Sequence, residues 1–82
     1  MKRFFFHVRR NNVLFEDTRG KALSGLPAAR AWAMTDARSL INEDALDGDL
    51  STYWIDIADA SGTRLATMPI AGVAEQRVGL NE

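Results

Sequence analysis

Apolar and polar side chains alternate imperfectly in the first segment of the chain. Successive side chains of a strand point to opposite faces. Over residues 3–9 one face carries Phe4, Phe6 and Val8, and the other carries Phe5, His7 and Arg9. The predicted sheet is therefore partly apolar on both faces, although the pattern offers only one helix to cover it. This mismatch favours a partner surface over a reaction centre.

Turn signals divide the pattern into two hairpins. Asn11 and Asn12 separate the first strand from a second strand over residues 13–17, because Asn tolerates the left-handed backbone region. Residues 59–62, Asp-Ala-Ser-Gly, link a third strand over residues 53–58 to a fourth over residues 63–68. Pro69 has no N–H, so it ends the fourth strand or places it at a sheet edge.

The two later strands differ in how clearly their faces are defined. Alternation in the third strand places Tyr53, Ile55 and Ile57 inward, and Trp54 and Asp56 outward. In the fourth strand the pattern leaves two alternatives open, because Leu65 and Thr67 compete with Ala66 and Met68 for the inward face.

A helix is predicted between the two hairpins. Residues 17–20 form a tight turn and residues 21–23 briefly resume extended structure, after which Ser24 is the predicted N-cap and Pro27 lies in the first turn. One face repeats apolar residues at helical spacing: Leu26, Ala29, Ala33, Ala37, Leu40 and Ile41. Asp44 would interrupt this stripe, so regular packing is expected to end near residues 42–43. Asp36 is expected on or near the solvent side.

These elements predict an α+β fold. We expect a four-stranded antiparallel sheet with one helix on one face, in the order ββαββ. Residues 1–70 form a single domain, and residues 71–82 form a C-terminal tail that we expect to be loosely ordered, because its pattern is weak.

Composition restricts the function more than it defines it. The formal net charge of −1 argues against a dedicated nucleic-acid binder, which must neutralise phosphates. The absence of cysteine excludes disulfides and thiolate metal sites and is compatible with the cytoplasm, where we expect the protein. No segment approaches the length of about 20 apolar residues that spans a bilayer.

No catalytic constellation is found in the sequence. His7 is the only histidine, Glu16 faces away from Asp17, and Asp59 stands where a turn favours aspartate. No glycine spacing matches a nucleotide-binding fingerprint. We therefore predict no catalytic, metal or cofactor-binding residues, and no enzymatic activity.

The chain resembles a family of short bacterial proteins of unknown function. The resemblance rests on Phe-His-Val-Arg at residues 6–9, an acidic–glycine turn at 17–20, a helix start at 26–30 and a hairpin at 59–62 that runs to 68–70. It implies the fold but no activity. The first strands and the helix also faintly resemble HicB-type antitoxins, which use a sheet-plus-helix domain to bind a toxin.

The leading hypothesis is a non-enzymatic protein-interaction module. We expect a homodimer that covers the second sheet face, with five candidate interface residues: Phe5, His7, Leu14, Trp54 and Asp56. One alternative is an antitoxin-like or regulatory protein that masks another protein. A second alternative is weak single-stranded nucleic-acid binding through four basic residues beside Phe5, namely Lys2, Arg3, Arg9 and Arg10.

Overall fold

The computed structural model describes residues 1–73 and contains five strands and one long helix. The elements in chain order are β1 (Lys2–Arg10), β2 (Val13–Phe15), β3 (Lys21–Leu23), α1 (Leu26–Asn42), β4 (Tyr53–Asp59) and β5 (Arg64–Pro69). A short 3-10 turn, Leu50–Thr52, precedes β4, and residues 70–73 are helical. The remaining residues, 74–82, include most of the predicted tail and lie outside the described part of the chain.

The strands form one antiparallel sheet in the order β2-β1-β4-β5, and β3 also pairs with β1. The α+β class and the antiparallel sheet are confirmed. The prediction of four strands in the order ββαββ is wrong, because residues 21–23 form a third strand before the helix. Nine residues make β1 long enough to pair with β2 at one end and β3 at the other.

The helix packs on one face of the sheet through small side chains. Ala29, Ala33 and Ala37 have no exposed surface, and they belong to the same core cluster as the bulky Phe4 and Ile55 of the central strands. Alanine brings the helix axis close to the sheet, and the larger strand residues fill the space between the layers. The predicted apolar stripe is confirmed.

The two ends of α1 differ in how well the sequence predicts them. The helix ends at Asn42, as expected from the interruption of the stripe at Asp44. The N-cap is Gly25, and no side chain caps this end, so the assignment to Ser24 is wrong. The Gly25 carbonyl accepts the first helical hydrogen bond, from Ala29 N. Ser24 is therefore one residue too far from the helix to act as the cap.

The strand register shows which side chains of β5 face the helix. Met68 pairs with Ile55 and Ala66 pairs with Ile57, so both lie on the helix side, whereas Thr67 pairs with Asp56 on the opposite side. A register shift between residues 57 and 58 bends the pairing near the hairpin.

Candidate interaction surface

The side of the sheet opposite α1, called here the open face, collects all five predicted interface residues. Phe5 and His7 lie on β1, Leu14 on β2, and Trp54 and Asp56 on β4. Cross-strand register brings them together: His7 pairs with Asp56, while Arg9 pairs with both Leu14 and Trp54. No helix within residues 1–73 packs on this face, since α1 packs on the other. The alternation of β1 and β4 alone was sufficient to place four of the five residues.

A hydrogen-bonded network organises the centre of the open face around Asp56. Arg9 Nε donates to Asp56 Oδ2 at 2.9 Å, and the Thr67 hydroxyl donates to Oδ1 at 2.7 Å. The other nitrogen of the Arg9 fork lies 3.3 Å from Oδ1, and Arg64 approaches Oδ2 at 3.9 Å. Asp56 is 5% exposed, so these partners satisfy a carboxylate that is almost wholly removed from water.

The electrostatics of this network keep Asp56 ionised. Burial alone would raise the pKa of Asp56. Hydrogen bonds from Arg9 and Thr67, together with the positive charges of Arg9 and Arg64, outweigh burial and hold the pKa below its ordinary value. Asp56 therefore accepts hydrogen bonds that hold Arg9 and Thr67 in place on the open face. It carries no proton to donate as a general acid near neutral pH.

Arg9 joins the ionic network to the aromatic part of the face. Its guanidinium carbon lies 5.6 Å from the centre of the Trp54 ring, within the range of a cation–π contact. The same side chain therefore holds Asp56 on one side and restrains Trp54 on the other. Trp54 stays half-buried, with part of its ring exposed on the open face.

Phe5 and His7 form a parallel pair beside this network. Their ring centres are 6.4 Å apart and the ring planes differ by 14°. His7 Nδ1 accepts a hydrogen bond from the backbone N–H of Asp17 at 3.0 Å, so the neutral ring carries its proton on Nε2. This bond fixes the orientation of the imidazole on the open face.

Asp17 bridges the gap along β1 between the ends of β2 and β3. Its carboxylate accepts hydrogen bonds from the backbone N–H groups of Phe6, Arg19 and Gly20 at 3.0–3.1 Å. Burial would raise the pKa of Asp17, but these three bonds and His7 hold it below its ordinary value. Gly20 completes the turn: its φ is +67°, and a Cβ there would lie 2.7 Å from the Phe4 carbonyl oxygen.

The β2 edge adds exposed apolar surface to the open face. All three residues of this strand are about half exposed: Val13 56%, Leu14 48% and Phe15 56%. An apolar strand at the edge of a sheet, with one row of backbone groups unpaired, is a characteristic protein-docking feature. Leu14 extends the open face, whereas its two neighbours point to the helix side.

The open face carries part of the basic group predicted beside Phe5: Arg3 and Arg9 lie on it, whereas Lys2 and Arg10 alternate to the helix side. Arg3, Arg9 and Arg64 lie on this face and Asp56 is the acidic residue among them, although the whole chain has a net charge of −1. Alternation placed Arg9 there, but Arg64 depends on the β5 register, which the pattern left open. Thr67, the second donor to Asp56, was missed for the same reason.

No metal centre is found among residues 1–73, where no group of three or more histidine, aspartate or glutamate side chains could hold an ion. No helix in the same part of the chain is long and apolar enough to cross a bilayer.

Comparison with known families gives one result. A family model described as a domain of unknown function, DUF6894, matches residues 3–71. The chain belongs to the DUF6894 family. This confirms the resemblance to a family without an assigned function and gives no support to the HicB resemblance. No curated protein and no solved structure matches the chain significantly. The geometry of this DUF6894 domain therefore provides the basis for a functional proposal.

Proposed function

We propose that the protein is a non-enzymatic interaction module whose open face packs against the open face of a second copy. One observation carries this proposal: five predicted interface residues share a face that α1 leaves uncovered, and its central carboxylate is already neutralised. A surface with its charge satisfied internally can be desolvated at lower cost than one with a free carboxylate. Its half-buried aromatic rings and Leu14 supply the apolar contact.

The size of the face supports a weak association. The five strands are about 4.8 Å apart and range from about 10 Å to about 30 Å in length, so they present roughly 450 Å² per copy. Two such faces bury about 900 Å² in total, just below the size expected of a stable specific interface. We therefore expect a dimer that dissociates on dilution.

The chemistry of the face supports a non-enzymatic role. Asp56 accepts from Arg9 and Thr67, and His7 Nδ1 accepts from Asp17. These groups are engaged in contacts that hold the fold, and none forms a nucleophile–base pair.

A second candidate function is binding of single-stranded nucleic acid. Three arginines of the open face, Arg3, Arg9 and Arg64, lie on the same face as the Phe5 and Trp54 rings. Proteins that bind single strands combine positive charge for the phosphates with aromatic rings on which bases stack. Salt separates the two candidates. Packing two positively charged faces together strengthens as salt screens their repulsion, whereas phosphate binding weakens as salt rises.

The test is the solution mass measured by light scattering over a concentration series at low and high salt. We expect a dimer whose affinity rises with salt and falls in Trp54→Ala and Phe5→Ala. Trp32→Ala is the matched control, because Trp32 lies on α1, away from the open face. A monomer at every concentration would contradict the homodimer. An equal loss of dimer affinity in Trp32→Ala would contradict the role of the open face.

The nucleic-acid candidate is tested by titrating a fluorescent single-stranded oligonucleotide at low salt. Binding that weakens with salt and with Arg64→Ala would favour it over the dimer. A flat titration would eliminate it.

A further inference from the structure

A second concave surface, called here the α1 groove, lies on the helix side of the sheet. It is an open groove bordered by α1, by the end of β2 and by the turn that leads to β3, and its volume is about 480 Å³. Trp32 and Phe15 supply the apolar wall. The charged lining residues are three acids, Glu16, Asp17 and Asp36, and two bases, Arg19 and Lys21, so acidic groups are in slight excess. This volume falls in the range of sites that bind small molecules or single side chains.

Asp36 is the unusual group in the α1 groove. It is partly buried, yet no hydrogen bond or ion pair from residues 1–73 reaches its carboxylate. Burial raises the pKa of Asp36, and the nearby negative charges of Asp17 and Glu43 raise it further. Asp36 thus lacks the compensation that Asp56 receives on the open face.

The aromatic wall of the groove already holds a cation. Lys21 Nζ lies 4.3 Å from the centre of the Trp32 ring, which is 37% exposed. Lys21 lies more than 4.0 Å from Asp36 and so leaves that carboxylate unpaired. Trp32 and Asp36 are four residues apart on α1, so they face the groove one turn from each other.

We propose that the α1 groove binds an arginine side chain of a protein partner, with the guanidinium on Asp36 and the methylenes along Trp32. Arginine fits because its planar fork pairs with a carboxylate through two hydrogen bonds, and because it stacks on aromatic faces. An added positive charge also relieves the repulsion among Asp36, Asp17 and Glu43. This site is separate from the open face and does not depend on the dimer.

The test is an NMR titration of the full chain with two blocked pentapeptides, Gly-Gly-Arg-Gly-Gly and the same peptide with citrulline. Citrulline keeps the shape of arginine and removes its charge. We expect the arginine peptide to shift the Trp32 indole and Asp36 signals and to bind at least about tenfold more tightly than the citrulline peptide. A matching lysine peptide should bind more weakly than the arginine peptide.

Three variants sharpen this test. Asp36→Asn should weaken binding of the arginine peptide by about tenfold, and Asp47→Asn, outside the groove, should leave it unchanged. Lys21→Met should tighten binding, because it frees the Trp32 ring. Trp54→Ala should bind like the unaltered chain, which separates this site from the open face.

Four results would overturn the proposal. They are equal binding of the citrulline peptide, equal binding of the lysine peptide, signal changes outside the groove, and an Asp36→Asn protein that binds as well as the original. Asp36→Asn removes an unpaired charge from a partly buried position, so we expect the variant to fold. If its NMR spectrum stays dispersed, a loss of peptide binding cannot be assigned to unfolding.

Discussion

The open face and the α1 groove each contain a carboxylate with a shifted pKa, but Asp56 is buried and paired, whereas Asp36 is partly buried and has no partner among residues 1–73. Asp56 has two arginines and a threonine within reach, and its pKa lies below the ordinary value. Asp36 has no partner among residues 1–73, and its pKa lies above the ordinary value. Asp56 stabilises the fold through its partners, whereas Asp36, which has none, is the carboxylate that we propose binds a ligand.

The largest expected effect comes from removing the cation that holds Asp56. Arg9→Met keeps the side-chain stem and leaves the buried Asp56 carboxylate with Thr67 and the distant Arg64. Leaving that carboxylate without its main cation should lower the free energy of unfolding more than any other substitution proposed here, as measured by urea denaturation at pH 7. Arg64→Met is the matched control and should change little, because Arg64 is exposed and 3.9 Å away. Equal losses in the two variants would contradict the central role of Arg9.

The pH dependence of stability should have opposite signs at the two sites. Asp56 has a lowered pKa in the folded state, so its contribution is present above the unfolded-state pKa and is lost as the pH falls through the folded pKa. Asp36 has a raised pKa, so stability falls as the pH rises from the unfolded-state pKa through the folded value. Urea denaturation from pH 3 to pH 7 should show that Asp56→Asn removes the first dependence and Asp36→Asn the second. If the two substitutions changed the slope of unfolding free energy against pH in the same direction, the opposite pKa shifts of Asp56 and Asp36 would be contradicted.

A smaller effect is expected at His7, which links the two regions through Asp17. The His7 ring lies on the open face, and its partner Asp17 is a lining residue of the groove. His7→Ala should cost about 1 kcal/mol, because the Asp17 N–H loses its acceptor. His7→Asn should retain most of that stability, since its side-chain oxygen can replace Nδ1. Thermal unfolding of both variants checks this, and equal losses would show that the hydrogen bond is unimportant.

The smallest expected effect is a gain in stability. Asp36→Asn should raise the free energy of unfolding at pH 7 by less than about 1 kcal/mol, because solvent partly screens a half-exposed charge. A stabilising substitution at a candidate binding residue is the expected sign of a group kept for function. A loss of stability in urea denaturation would indicate that the Asp36 charge supports the fold.

The sequence predicts much of the fold where short-range periodicity determines it. The alanine stripe of α1 and the alternation of β1 and β4 placed the core, and they also placed Phe5, His7, Trp54 and Asp56 on one uncovered face. These assignments need only the period of a helix or a strand.

Contacts between distant segments could not be predicted in the same way. Arg9 and Asp56 are 47 residues apart, and their pairing requires the register between β1 and β4. Extended structure at residues 21–23 was expected from the sequence, but its pairing as a strand requires that β1 extends beyond β2, which no local pattern shows. Asp36 was expected on or near the solvent side, and the turn that borders its groove depends on the hydrogen bond from Phe6 N to the Asp17 carboxylate.

The most direct test of the open face as an interaction surface is an NMR dilution series of the uniformly ¹⁵N-labelled chain. We predict concentration-dependent shifts at Phe5, His7, Leu14, Trp54 and Asp56, with the Trp32 indole signal unchanged. These shifts should grow at high salt. Spectra that do not change with concentration, or changes centred on α1, would contradict the account.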